Sequence, residues 1–409
     1  MTDCSIRELL LSALRGETGR TPAEQLRRAT PEEWRKLLDL ALRHRVTPLL
    51  YLQLKEHGAA EVPPEITQEL RDDYMNTAAC NMRLYHQLSG VLKRFYEDHI
   101  PVIPLKGVYL AARVYGNIAV RPMNDVDLLV KQTDLSRVQD ILVDQGYAAS
   151  EENVLFSMHH LRPYKKRKFP TIEIHFNIVD APFSHRLDLE QLWARTQPDS
   201  IQGVEVLTMC PEDLLLHLCT HTGFQHGFDN GIMSLFDISH TIKHYEAILD
   251  WEHVLNRGKE WGVSKCVYLA LSLAKKIAGA SVPEQIMMGL EVYNDGFDAA
   301  ALAEELLFHK DDAVLSENIA KLFNNDSLLD QLKHFMNYTF PAKKVMTDLY
   351  PAATNKWLVY IFYIFRFKGL LMMHGRTVWR LLLRDGEIST LADIAHRKNT
   401  LKDWLAQFK

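Results

Sequence analysis

The sequence predicts an α+β (α/β) chain: a small mixed-sheet core flanked by N-terminal and C-terminal helical regions. Three observations carry this. Apolar residues recur at three-to-four spacing before residue 98 and again past Cys210, the mark of amphipathic helices. Between them, short β-like runs alternate with helical segments. One of those runs, Thr171–Ile178, alternates polar and apolar residues without a break.

The composition narrows the class. With 409 residues there is room for two or three domains and a substantial core. Hydrophobic residues at 47% and charged residues at 24% exclude a disordered chain. A net charge of −5 leaves any nucleic-acid contact to a local basic patch. Five scattered cysteines without a C-x-x-C pair argue against a disulfide framework or a zinc ribbon, and a cytoplasmic setting is expected. The N-terminus lacks the apolar core of a secretory signal. The most apolar stretch, Trp357 to Phe365, is too short to span a bilayer, and Arg366 and Lys368 close it off. No transmembrane segment is expected. A buried helix is the plain reading of that stretch and a membrane-surface helix the other.

In the first region, 1–98, Ile6, Leu10, Ala13 and Leu14 share one helical face, as do Trp34, Leu37, Leu38, Ala41 and Leu42. Val46-Thr-Pro48 breaks the run, and Val62-Pro-Pro64 opens a long helix through Tyr96. The core is expected over 99–208. Ile100–Leu105 reads as a strand, with Pro101 and Pro104 placing it at a sheet edge or a bulge. Val108–Tyr115 reads as a short helix and Val126–Val130 as a strand. Thr133 and Asp134 are expected to cap a helix that runs to Gln145 and stops at Gly146. Val154–His159 and Thr171–Ile178 then flank a basic hairpin tip, Lys165–Lys168. The last region, 209–409, is helical, beginning with Pro211, Glu212 and Asp213 in a first turn. Its later helices are expected around 251–278, 299–309, 326–338 and 355–384.

The chemistry centres on Arg121-Pro-Met-Asn-Asp125-Val-Asp127-Leu-Leu-Val130. Residues two apart on a strand face the same way, so Asp125 and Asp127 can converge on a divalent cation. Hard oxygen ligands of this kind suit Mg²⁺. Two solvated acids at a strand end is the plainer alternative. Upstream, Leu105-Lys106-Gly107 marks a strand-to-helix turn where backbone N–H groups can approach a phosphate and Lys106 can pair with it. A simple turn with an exposed lysine fits the same residues. Downstream, Glu173, His175 and Asn177 share one strand face, and Glu173 becomes a third carboxylate if that strand lies beside Asp125–Asp127.

The order L-K-G, a Tyr-Gly turn, R-P-x-x-D-x-D-L-L-V, a G-Y and E-I-H-F resembles the uncharacterised nucleotidyltransferase family of the DNA polymerase β-like superfamily. Glu212-Asp-Leu-Leu-Leu-His217-Leu-Cys-Thr-His221 and Leu235-Phe-Asp237-Ile fit the same family. The resemblance runs from about Trp34 to Gly279. It implies Asp125 and Asp127 as metal ligands and Glu173 as the third catalytic carboxylate. Lys106, Gly107 and Arg121 become phosphate contacts, and His175 is grouped with them as a nucleotide contact. Mg²⁺ or Mn²⁺ is the implied cofactor and an NTP, expected to be ATP, the donor. The acceptor is open: a small molecule, peptide, protein or RNA. The superfamily's Gly-Gly-Ser or Gly-Ser is replaced here by Leu-Lys-Gly.

His217 and His221 sit four apart on a helix, one turn from Asp213, without the H-E-x-x-H pattern of a zinc protease. They read either as a polar stripe facing the cleft or as a packed pair. Arg162 with Lys165–Lys168 reads as a solvated tip or as a grip on nucleic-acid phosphates. Two rival functions stand beside catalysis: a nucleotide-binding module that has lost turnover, and an interaction protein whose acids are merely solvated.

Overall fold

The computed structural model describes residues 3–16, 20–56, 62–150, 159–179, 187–290, 297–308, 339–340, 360, 363–364, 368 and 386–406. Two compact units are present, Met1–Lys310 with Phe408–Lys409 and Asp311–Gln407. In the second unit one helix is described, Gly386–Ala406, with Leu401 and Leu405 buried. The expectations for 154–158 and 326–338, and nearly all of those for 355–384, lie outside the described residues. No helix among the described residues is long and apolar enough to cross a membrane.

The first unit opens with α1 (Asp3–Leu14), α2 (Arg20–Arg28), α3 (Pro31–Arg43), α4 (Thr47–Glu56) and the long α5 (Pro64–Glu97). Thr30 and Glu33 form a capping box at the start of α3. Trp34, Leu37, Leu38 and Ala41 are buried as the periodicity predicts, but Leu42 stays 46% exposed. Val46-Thr-Pro48 does end one helix, and it starts the next, with Pro48 in the first turn.

The sheet follows: β1 (Val102–Pro104), β2 (Asp125–Val130), β3 (Ala148–Ala149), β4 (Tyr164–Lys165) and β5 (Thr171–His175). Its order is β1-β2-β5-β4-β3, so the proline-bearing β1 lies at an edge, as Pro101 and Pro104 require. The β2–β5 pair is parallel and the others are antiparallel, so the sheet is mixed. Two helices interrupt it. α6 (Lys106–Tyr109) runs into a π-helical turn, Leu110–Val114, and α7 (Leu135–Asp144) is entered through a 3₁₀ turn, Gln132–Asp134. The expected cap at Thr133–Asp134 gives way to that turn, and Asp134 pairs with Arg137 instead. β5 stops three residues early because the Asn177 side chain accepts the N–H of Ile178 and Val179 and turns the chain.

Alternation sorts the two faces of β2 and β5. Val126, Leu128, Val130, Ile172 and Ile174 pack with Tyr85, Leu88 and Leu92 of α5 and with Val138, Ile141 and Leu142 of α7. The opposite face carries Asp125, Asp127, Glu173 and His175.

Beyond the sheet come α8 (Leu189–Ala194) and a hairpin of β6 (Gln197–Ile201) and β7 (Val204–Thr208), unforeseen in the sequence. Gln202 and Gly203 both take positive φ, as a two-residue hairpin turn demands. Then follow α9 (Pro211–Thr220), a π-helical turn His221–Gln225, α10 (Met233–His244), α11 (Trp251–Glu260), α12 (Ser264–Ala278), α13 (Glu284–Leu290) and α14 (Ala299–Phe308). Every residue of α9 is buried, and Glu212 and Asp213 occupy its first turn as expected.

Four polar ties hold this helical layer to the carboxylate-bearing side of the sheet domain. Tyr109 and Tyr245 share a hydroxyl–hydroxyl bond of 2.7 Å, and Gln225 Nε2 meets His159 Nε2 at 2.9 Å. Arg121 donates to both Asp237 oxygens, with Nε at 2.9 and 3.1 Å and Nη2 at 2.8 Å. Tyr115 donates to Asp237 as well, at 3.0 Å. The Arg121 and Asp237 side chains are only 16% and 4% exposed, so the pair is shielded from screening. Asp237→Ala, which strands a buried guanidinium, should cost about 3–5 kcal/mol in denaturant melts. The double replacement Arg121→Met/Asp237→Leu should recover most of that loss.

Candidate active site

Parallel pairing sets Asp127 directly beside Glu173 and Asp125 beside Thr171. His175, two residues along β5, falls on the same face as Glu173. Its Nε2 lies 2.8 Å from Asp127 Oδ1 and 3.7 Å from Glu173 Oε2. One ligand atom each from Asp127, Glu173 and His175 lie within 4.8 Å of one another. Asp125 stands outside that trio, exposed at the start of β2. The Asp127 side chain is 5% exposed and that of Glu173 25%, so the cluster runs from a buried floor to an accessible rim.

Lys106 Nζ donates to the same Asp127 Oδ1 at 2.9 Å. The lysine backbone takes φ 49°, a left-handed conformation unusual for a side-chain-bearing residue. Gly107 owes its missing Cβ to packing: a Cβ there would collide with Arg121 Nη1 and lie 2.9 Å from Met123 Cγ. Arg121 therefore lies over Gly107 while its Nε and Nη2 hold Asp237. Asp237, engaged by Arg121 and Tyr115, is a structural anchor here.

Electrostatics follows from these contacts. Burial would raise the Asp127 pKa, but Lys106 and His175 outweigh it and hold the carboxyl well below its usual range. The imidazole of His175, 3.7 Å away, lowers Glu173. Asp125 is raised, first by loss of hydration in the cleft and then by the Asp127 charge.

Histidines line the neighbourhood. The rings of His159, His160 and His175 stack within 4.6–5.3 Å of one another. His221 Nε2 and His226 Nε2 are 3.2 Å apart, and His221 Nδ1 meets Gln225 Oε1. His217 is 1% exposed, and neither ring nitrogen has a hydrogen-bonding partner among the described residues. Burial, then the Lys106 charge, pushes its pKa down to about 3. His221 is pushed down by the same two causes. The stripe expected from Asp213, His217 and His221 is thus divided: Asp213 pairs with Arg195, while His217 couples to Lys106, His175 and Asp127. Sequence reasoning passed over His159, His160 and His226. The adjacent His159–His160 pair was the available signal, and nothing local tied it to β5.

A mixed sheet with neighbouring carboxylates on adjacent parallel strands, closed by a helical layer, defines a nucleotidyltransferase core. The model of the uncharacterised nucleotidyltransferase family matches residues 30–279, more than half of the chain, and the chain belongs to that family. No curated protein and no solved structure matches the chain.

A pH prediction follows from His217. An unfolded histidine takes up its proton near 6.5, whereas the folded one resists until about 3. Between those values the unfolded chain binds the extra proton, so stability present above 6.5 is lost progressively as pH falls. His217→Leu should leave stability at pH 7 little changed. In that acid window it should flatten the decline by up to about 1.4 kcal/mol per pH unit, read from denaturant melts across pH.

Proposed function

We propose that this protein transfers a nucleoside monophosphate from an NTP, with ATP the expected donor, to an acceptor hydroxyl and releases pyrophosphate. The observation that carries this reading is the side-by-side placement of Asp127 and Glu173, with His175 and Lys106 directed at the same carboxylate. The acceptor oxygen forms a bond to the α-phosphorus. The bond from that phosphorus to the β-phosphate oxygen breaks, and the acceptor proton passes to Glu173 or to a group of the helical layer.

Asp127, Glu173 and His175 suit a divalent cation, with Asp125 at the rim adding a further oxygen. Carboxylate oxygens favour Mg²⁺ or Mn²⁺, and the imidazole tips the balance toward Mn²⁺. Such an ion, when bound, neutralises charge on the transferred phosphoryl group. The chain's own contribution is positional. Asp127, held ionised by its two donors, needs no deprotonation before it binds a cation. Lys106 sits within reach of both the carboxylates and the first turn of α6, where a triphosphate oxygen would replace Asp127 as its partner. Neutral His217 and His221 add no competing positive charge beside that lysine.

One observation favours a second reading, nucleotide binding without turnover. Arg121 and Met123 cover Gly107, the position where backbone N–H groups would cradle phosphate. The two readings separate in one assay, pyrophosphate release from each NTP with Mg²⁺ or Mn²⁺ against an acceptor panel. Asp127→Asn should lower release by about 100- to 1,000-fold or more while the variant stays folded. Nucleotide binding without metal-dependent release in the wild type would leave the second reading, and unchanged release in Asp127→Asn would refute the first.

A further inference from the structure

A cavity of about 260 Å³ opens where α3, α4 and α5 meet the Arg121–Asn124 loop that leads into β2. Asn124, on the cavity wall, is the residue immediately before Asp125 and β2. The wall mixes apolar Leu42 and Met123 with the carboxamides of Asn76, Asn81 and Asn124, and with the Asp73 carboxylate, which accepts from the Thr47 hydroxyl. Leu42 is the residue the helical periodicity predicts to be buried, yet it is exposed, on the cavity wall.

Two details point to a ligand. Asn81 is 1% exposed and spends its Nδ2 on the carbonyls of Ile118, at 2.6 Å, and Arg121, at 2.9 Å. Its Oδ1 is buried without a hydrogen-bonding partner among the described residues, an arrangement that costs stability unless something donates to it. The other detail is Arg45, just past the end of α3. The bond from Val46 N to Ala41 O closes that helix, which places Arg45 in the left-handed position that glycine usually fills. At φ 59° the arginine is strained, and its Nη2 reaches Asn124 Oδ1 at 3.0 Å. Burial and then the Arg121 charge pull its pKa down, while Asp125 and Asp73 oppose that. A cation placed at such a cost to the backbone, next to Asp125, fits a phosphate oxygen better than it fits helix termination.

We infer that this cavity receives the nucleoside moiety of the donor nucleotide, with the carboxamides facing the base edge, Leu42 and Met123 its faces, and Arg45 a phosphate oxygen. The inference rests on the nucleotidyl-transfer reading and gives the N-terminal helices a part in nucleotide selection. Asn81 keeps its Oδ1 as an acceptor and Asn124 its Nδ2 as a donor, the two kinds of group a base edge pairs with. The cavity volume, at the small end for ligand pockets, fits one nucleoside and not a macromolecular acceptor.

Cys80 provides the test, because it is exposed on the cavity wall whereas Cys210, Cys219 and Cys266 are buried. Full-length protein is alkylated with iodoacetamide, and Cys80 modification is followed by peptide mass spectrometry. The additions are Mg²⁺ with each NTP or with inorganic tripolyphosphate, at concentrations shown by thermal shift to saturate. NTP should slow Cys80 alkylation severalfold, and tripolyphosphate should not. Arg45→Gly should melt no lower than wild type, since glycine relieves the backbone, yet bind NTP about tenfold or more weakly, the worth of a charge-assisted hydrogen bond. Unchanged alkylation under saturating NTP, or full NTP affinity in Arg45→Gly, overturns the assignment and leaves nucleotidyl transfer standing. Protection of Cys80 by an acceptor but not by NTP would make the cavity an acceptor site and overturns it equally. A wild-type protein that binds neither NTP nor tripolyphosphate with Mg²⁺ refutes the transfer reading and this inference together.

Discussion

The parallel pairing of β2 with β5 is the constraint on which the rest depends. Side chains repeat every two residues along a strand, so a one-residue slip would turn Glu173 and His175 toward the core. The observed register sets Asp127 against Glu173 and Leu128 against Ile174. One choice therefore fixes both faces: the apolar set closes on α5 and α7, and the polar set gathers at the opposite surface. Parallel strands need a crossover, and α7, β3 and β4 lie between β2 and β5 along the chain.

Around this register the chain concentrates unfavourable features. Lys106 is left-handed, Asp127 carries its charge in a nearly closed site, and both ring nitrogens of buried His217 lack a hydrogen bond among the described residues. Each is costly for folding alone, and such costs collect where geometry serves binding or chemistry. Lys106 and His175 offset the charge of Asp127, and His217 and His221 beyond them stay neutral. The Arg121–Asp237 pair draws the helical layer over this ground, so the site is bounded by groups from both sides of the chain.

The fold class was legible because its signals are local. Helical periodicity before 98 and after 210, prolines in β1, and strict alternation in β5 each depend on nearby residues alone. The carboxylates were legible because Asp125-x-Asp127 and Glu173 lie on strands with clear faces. What stayed hidden depends on partners far along the chain. The bond from Arg121 to Asp237, on α10, joins residues too far apart along the chain to be read together. The cover that Arg121 and Met123 place over Gly107 is likewise set by the fold and not by the residues beside it. Leu42 belongs to a helical stripe by spacing and to a cavity wall by position. The β6–β7 hairpin rests on Gln202-Gly203, a weaker turn signal than Asn-Gly.

Electron paramagnetic resonance of bound Mn²⁺, with detection of nitrogen hyperfine coupling, tests the central claim most directly. If Asp127, Glu173 and His175 form the cation site, wild type binds Mn²⁺ with a nitrogen ligand. His175→Gln then retains the ion more weakly and without that coupling, and Asp127→Asn loses it. Mn²⁺ binding that is indifferent to Asp127→Asn, or no bound Mn²⁺ in the wild type at millimolar concentrations, would contradict the account.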